Sequence, residues 1–408
     1  MAWYSKFLPM SKKAASPPEV IDSPDKLAAF LGGVQTGAGV AVSMRAAMQY
    51  SAMMSCARVI AEDIGKLPLH LYEQDGRMRE RLADDPLSTL LNVAPNEFMT
   101  AREFWETCGL HLALRGNFYA WKNVVRGTVR ELLPLHPGSV VPRLRSDWSV
   151  VYQVTFPNGK VDILPQDAIF HVRILSMDGL NGLDPITYFA REVLGEAIAA
   201  DRQAQGMFRQ GAKLSGVLST EGTLNDDAYA RIREDWEQTY GGVENAYKVA
   251  ILEGGLNFKE ISMTNEQAQF LEQRKFKRGE MAGLYRIAPH KIGDLEHATF
   301  SNIEHQSQEH VTDCLMPLAT KIEARIRVSL VPKDRRNRVF AKFNMNALLR
   351  GDMTARANYY TKQIQNGVYS PNDVRELEDE NPRDGGDIYL TPSNMLIDGK
   401  VPAAPAKE

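Results

Sequence analysis

The feature that most constrains this chain is a pair of long helical segments separated by a small, glycine-punctuated insert. Asp184 caps and Pro185 opens the first, over residues 185–210. The second, "NEQAQFLEQRKFKRGEMAGLYRI" (265–287), has Thr264 in the capping position. At 1.5 Å per residue the second spans about 35 Å, far beyond the needs of a compact turn. Between them, residues 211–263 carry a strand "SGVLST", a helix "NDDAYARIREDWEQTYG" and strands "YKVAIL" and "LNFKEIS". Two rods joined by a miniature domain read as a stalk with that domain at its far end.

The rest of the chain surrounds this stalk. Residues 1–43 are rich in Ser, Pro, Gly and Ala and read as a flexible arm. From Met44 the spacing of Met48, Ala52, Cys56, Val59, Ile60 and Ile64 predicts one helix, ended by Gly65. "KLPLHLYEQDG" alternates like a strand. Two capped helices follow: one opens at Asp85–Pro86, the other carries a capping box, Thr100 with Glu103, and closes at Gly116. Residues 117–175 read as antiparallel strands, with the "PNG" at 157–159 as a hairpin signal. This is an α+β unit. After the second long helix come a loop, a helix from Ser301 to about Ile326, a hairpin over 328–348 with the basic turn "KDRRNR", and two short helices, the second started by Ser370, Pro371 and Asp373. The tail "VPAAPAKE" reads as disordered.

Composition narrows the function. Apolar residues make up 44%, enough for a buried core, and the net charge is −3, so the surface as a whole is no nucleic-acid glove. Cys56, Cys108 and Cys314 are widely spaced and form no CxxC pair, which fits buried reduced thiols better than a disulfide frame or a zinc site. No apolar run is long enough to span a membrane, and the N-terminus has no signal-peptide order. GxSxG, HExxH, GxxxxGK[ST] and GxGxxG are all absent, which argues against a hydrolase elbow, a zincin and a nucleotide-driven motor.

One stretch nevertheless resembles an active site. "LYRIAPHKIGDLEHATFSNIEHQ" (284–306) concentrates histidines, carboxylates and a lysine. His305 and His310 are five positions apart, about 140° around a helix, and do not readily share a metal. His305, Glu309 and Asp313 do share a face, and a solvated or interface-facing stripe is the favoured reading for it. His171 alternates with Phe170 and Val172 in a strand and reads as a packed, hydrogen-bonded residue. Arg274, Lys275, Lys277 and Arg278 cover an arc of about 160° on the second long helix. They suit a solvated face, a contact with a neighbouring subunit, or a phosphate contact.

In order along the chain, five stretches resemble the portal (head–tail connector) proteins of long-tailed bacteriophages. They are "SCARVIAEDIGKLPLHLYE" (55–73), "LLNVAPNEFMTAREFWETCGLHLALRGNFYAW" (90–121), "ELLPLHPGSVVPRL" (131–144), "DAIFHVRILSMDGLNGLDPI" (167–186) and "FLEQRKFKRGEMAGLYRIAPHKIGDLEHATFSNIEHQ" (270–306). The resemblance implies a portal fold with a wing of helices plus antiparallel strands, a two-helix stem, a small α/β clip insert and a helical crown. The boundaries it implies are an arm 1–43, wing 44–183, stem helices 184–210 and 264–286, clip 211–263 and tunnel loop 287–300. A long wing helix plus hairpin at 301–350, a crown at 351–395 and a disordered tail at 396–408 complete them.

The same resemblance implies a dodecameric ring at one capsid vertex, through which a terminase packages double-stranded DNA and through which the DNA later leaves. Implied partners are the chain itself, the terminase large subunit, a head–tail adaptor, the major capsid protein and a scaffold. The implied locations are the virion and, during assembly, the host cytoplasm. No catalytic residue, cofactor or metal is implied, since the terminase hydrolyses the nucleotide. Implied sites are the tunnel loop (His290, Lys291, Asp294, Glu296, His297 and Thr299), the basic arc of the stem (Arg274, Lys275, Lys277 and Arg278) and the clip helix (Arg231, Arg233, Glu234, Trp236 and Glu237). The competing readings are a metal-dependent hydrolase built on the His/carboxylate cluster at 290–313 and another head–tail adaptor ring protein.

Overall fold

The computed structural model describes residues 34–156, 158–209, 216–220, 225–240, 257–260, 265–294, 300–349, 353–378 and 380–390. The expected strand 247–252, the cap Thr264 and the tail lie outside these residues, as does the arm up to residue 33. The chain divides into two units, Met1–Gly65 with His70–Lys342, and Lys66–Leu69 with Phe343–Glu408.

The first unit begins inside the segment expected to be a flexible arm. There β1 (Val34–Gln35) and β2 (Ala41–Val42) pair antiparallel. Their turn is tied by Thr36 Oγ1 to the Val40 carbonyl at 2.9 Å, and by the Gly37 N–H to Glu192 Oε2 at 2.9 Å. The single helix expected from Met44 is two, α1 (Met44–Gln49) and α2 (Ser51–Lys66). Tyr50 breaks them with an extended backbone, φ −78° and ψ 115°. No Gly or Pro marks this break. On α2, Met53, Cys56, Ala57, Ile60 and Ile64 are buried, and so is one carboxylate, Asp63.

A hairpin follows, β3 (Leu69–Asp75) and β4 (Met78–Arg81), and then α3 (Pro86–Asn92) and α4 (Ala101–Arg115). Both expected caps form. Asp85 accepts from the Leu87 N–H at 2.8 Å, and the Thr100–Glu103 box is closed in both directions. Gly116 ends α4 in the left-handed region at φ 67°. A Cβ there would collide with the Leu183 carbonyl oxygen, so only glycine fits.

Six strands build two three-stranded antiparallel sheets: β5 (Asn117–Val125), β6 (Thr128–Leu135), β7 (Val140–Leu144), β8 (Val150–Thr155), β9 (Val161–Pro165) and β10 (Ile169–Arg173). Their orders are β10–β5–β6 and β7–β8–β9. Tyr119, Val140, Tyr152, Val154 and Ile169 pack into one core that joins the sheets. His171 is buried there, between the Tyr152 hydroxyl and Asn117 Oδ1, each 3.1 Å away.

The stalk helices then appear. The single helix expected over 185–210 is two: Asp184 caps only a short turn, α5 (Pro185–Tyr188), which ends at Phe189, and the long helix is α6 (Arg191–Arg209). The insert contributes β11 (Gly216–Ser219), α7 (Asp226–Tyr240) and β12 (Asn257–Glu260), with β11 and β12 paired antiparallel. The second stalk helix, α8 (Asn265–Leu284), packs on α6. Lys277 on α8 pairs with Glu196 on α6 and also with Glu280.

A long helical run follows: α9 (Phe300–Glu309), a π turn (His310–Leu315) and α10 (Met316–Ser329). In the π turn the Met316 N–H reaches the Val311 carbonyl, five residues back. Pro317 explains its position. Proline has no N–H and its ring presses on the carbonyl four residues earlier, and a widened turn just before it relieves both. The hairpin expected over 328–348 does not form. The helix continues to Ser329, and β13 (Val339–Phe343) instead joins the edge of the earlier hairpin, giving the order β13–β3–β4. The buried Lys122 Nζ donates to the Ser329 carbonyl at 3.0 Å and so ties β5 to the end of α10.

The second unit holds α11 (Met353–Gln365) and α12 (Pro371–Leu377). Ser370 and Asp373 form the capping box of α12. Glu378 accepts from the Tyr360 hydroxyl at 2.7 Å and lies 3.5 Å from Arg356 Nη1.

Candidate functional site

The loop after α8 is held by its own helix end. The Arg286 N–H bonds the Gly283 carbonyl at 3.0 Å, and the Ile287 N–H bonds Ala282 at 2.9 Å. These are the two bonds of a Schellman ending. Its left-handed position is usually glycine, but here Arg286 occupies it at φ 54°. Ile287 is buried behind it. The Tyr285 hydroxyl reaches back to the Ala113 carbonyl at 2.9 Å, and the Cys314 thiol donates to the Tyr285 carbonyl at 3.3 Å. Burial pushes the Cys314 thiol up to about 12, helped by the charge of Asp63. It is a packing group, not a nucleophile.

Residues 289–292 form a 3₁₀ turn closed by Gly293 at φ 84°. Here the loop is anchored twice. His290 Nδ1 lies 2.6 Å from Gln306 Oε1 on α9, and Lys291 Nζ lies 3.6 Å from Asp63 Oδ2 on α2. The same Asp63 oxygen is 2.9 Å from His310 Nε2 in the π turn. A carboxylate accepts, so Nε2 carries the hydrogen of this contact. His310 is 2% exposed and its Nδ1 has no protein partner. Arg286, Ile287, Ala288, Gln306, Glu309, His310 and Asp313 line a cavity of about 390 Å³ beside it.

The sequence-derived site residues fall into groups. His290, Lys291 and Asp294 are half-buried at the base of the loop. Glu296, His297 and Thr299 lie outside the described residues. On α8, Lys275 and Arg278 are exposed, Lys277 is paired within the subunit, and the side chain of Arg274 lies outside the described residues. On α7, Arg231, Arg233 and Glu234 are exposed, while the side chains of Trp236 and Glu237 lie outside the described residues. His305, Glu309 and Asp313 are exposed, in keeping with a solvated stripe. His310 is the correction to the reading of this segment, since it is buried against Asp63. Among the described residues no three His, Cys, Asp or Glu side chains converge on a metal geometry, so the hydrolase reading finds no support.

Asp63 itself was missed from sequence, although it left a signal. It sits three residues after Ile60 and beside Ile64, on the apolar stripe of an amphipathic helix. A carboxylate there needs a buried partner. That partner is 247 positions away.

The family model for "Phage portal protein" matches residues 51–379 of the chain. The chain belongs to the phage portal family. It is 32% identical over 350 residues to the portal protein of Enterobacteria phage HK97, covering 84% of this chain and 81% of that one. It is 30% identical over 384 residues to the probable portal protein of Streptomyces phage phiC31, covering 91% and 83%. Among solved structures, a chain from the neck of a native gene transfer agent particle, computed with C12 symmetry, superposes with a TM-score of 0.57. That likeness has 20% identity and covers 88% of this chain and 99% of the other. The fold is therefore a portal fold.

Proposed function

We propose that this portal subunit assembles into a closed ring of twelve at one capsid vertex. The ring is the channel through which a terminase drives double-stranded DNA into the head and through which the DNA later leaves. It also forms the seat of the head–tail adaptor. The observation that carries this reading is the family match over 51–379, which takes in the long helices, their insert and the antiparallel sheets together. A solved relative of the same fold stands in a neck computed with C12 symmetry, which supports self-association into a ring.

Residues 287–300 serve as the tunnel loop. Their base is fixed by His290, Lys291 and the Schellman ending of α8. A channel must pass a polyanion without gripping it. A wall of uniform positive charge would bind phosphates tightly, whereas the mixed "PHKIGDLEHATF" keeps contacts weak and screened. The exposed face of α7, with Arg231, Arg233 and Glu234, presents the clip to the terminase and then to the adaptor.

Shortening the loop by deleting residues 295–299 tests the assignment. Rings should still assemble, while particles built on them fail to fill or to hold their DNA. Normal packaging with the shortened loop would overturn it.

A further inference from the structure

Several cations of the first unit have acidic partners: Arg115 with Asp184, Lys277 with Glu196, Arg335 with Asp85 and Lys342 with Glu323. Three that share one helix–strand contact do not. Arg173 is the last residue of β10, and α10 packs on that strand. Lys321 and Arg325 stand one turn apart on α10, where like charges repel. Among the described residues none of the three enters an ion pair. Glu323, the carboxylate nearest them in sequence, is turned to Lys342 at 3.2 Å. Behind them, the Tyr152 hydroxyl and the His171 ring are committed to each other.

The three charges feel one another. Burial lowers the pKa of the half-buried Arg325 guanidinium, and the charge of Arg173 lowers it further. Lys321 is lowered by the same two causes in the same order. A partly desolvated like-charge cluster is unfavourable in an isolated subunit and becomes favourable when a carboxylate closes over it. The stripe continues on α10 into the exposed Val328, three residues after Arg325. Arginine beside exposed aliphatic surface is the composition of a protein interface.

We propose that Arg173, Lys321 and Arg325 form a subunit-to-subunit socket that receives carboxylate side chains from a second copy of this chain. The inference rests on the ring reading above and adds its contact surface. A ring built head to tail needs two different, complementary patches on each subunit. The chain supplies the complement, with 51 acidic against 48 basic residues and with exposed carboxylates such as Glu309 and Asp313 that enter no ion pair among the described residues. Three cations at one helix–strand contact, two of them half-buried, suit a few carboxylates better than a duplex, which takes a run of phosphate contacts along a face.

The test uses the full chain in wild-type form and as the triple variant Arg173→Gln/Lys321→Gln/Arg325→Gln. Ring formation is followed by native mass spectrometry across a concentration series, and the melting temperature of the dissociated subunit is recorded. The proposal expects the half-assembly concentration to rise at least about tenfold, while the subunit melts no lower than wild type because repulsion has been relieved. Rings formed at wild-type concentrations overturn it. They do so whether or not binding of a short DNA duplex falls, and a fall would reassign the cluster to phosphate. If the triple variant fails to fold, the exposed single change Lys321→Glu decides, with loss of rings at unchanged melting in favour and retention against. A wild-type chain that forms no ring at all overturns the ring reading itself. A wild-type ring matched by the variant overturns only this socket.

Discussion

Replacing Asp63 with alanine should loosen the loop that follows α8, and the structure fixes by about how much. The His310 side chain is 1% exposed, so no water replaces the lost acceptor, and a buried hydrogen bond to a charged group contributes about 1.5–3 kcal/mol. Lys291 is 26% exposed and 3.6 Å away, so its share is a few tenths of a kcal/mol at most, by the weakness of solvated ion pairs. The sum, about 2–3 kcal/mol, corresponds to a drop of about 3–4 °C in melting temperature for a unit of this size. The damage should also be local. Arg286 and Lys291 are trypsin sites on the segment that Asp63 holds, and losing 1.4 kcal/mol of local closing energy makes cleavage about tenfold faster. A double-mutant cycle with His310→Ala should return a coupling of about 1.5–3 kcal/mol. Melting within about 1 °C of wild type, with cleavage at 286 and 291 unchanged, would refute the argument.

Two further predictions follow from single residues. Burial depresses His171 to about 3 and His111 to about 4, the latter with a smaller push from His136. The unfolded chain therefore binds more protons below about pH 6.5, and stability falls as the pH drops. The loss is about 1.4 kcal/mol per unit and per histidine, or about 4 kcal/mol for the pair by pH 5. A melting temperature flat from pH 7 to 5 would contradict this. Arg286→Gly removes a side chain from a left-handed backbone position and should stabilise the subunit by about 1 kcal/mol, read as a rise in melting temperature. A fall would mean that the Arg286 side chain contributes more than its strained backbone costs.

What the sequence revealed was what is decided locally. Asp85 with Pro86, Thr100 with Glu103, and Ser370 with Asp373 all cap helices as their spacing predicts, because a cap is settled within four residues, whereas Asp184 with Pro185 caps only the short turn before the long helix. The two long helices and their insert were legible for the same reason. Pairings across the chain were not. Residues 339–343 alternate like one arm of a hairpin, and nothing in them says that their partner is β3. The break at Tyr50 lies in a run of good helix formers, and no local signal marks it. The π turn was readable in principle from Pro317 inside a helical pattern. Of the candidate site, the loop was found from its charge density. Its anchor escaped notice because the carboxylate on the apolar stripe of α2 does not name its partner, and only the fold brings His310 to 2.9 Å from Asp63.

The central claim is that this chain works as a ring. Negative-stain imaging of the purified full-length protein, with its mass measured in parallel, tests that most directly. The account predicts closed rings of about a dozen subunits around an open centre. Monomers only, at concentrations of tens of micromolar and low salt, would contradict it.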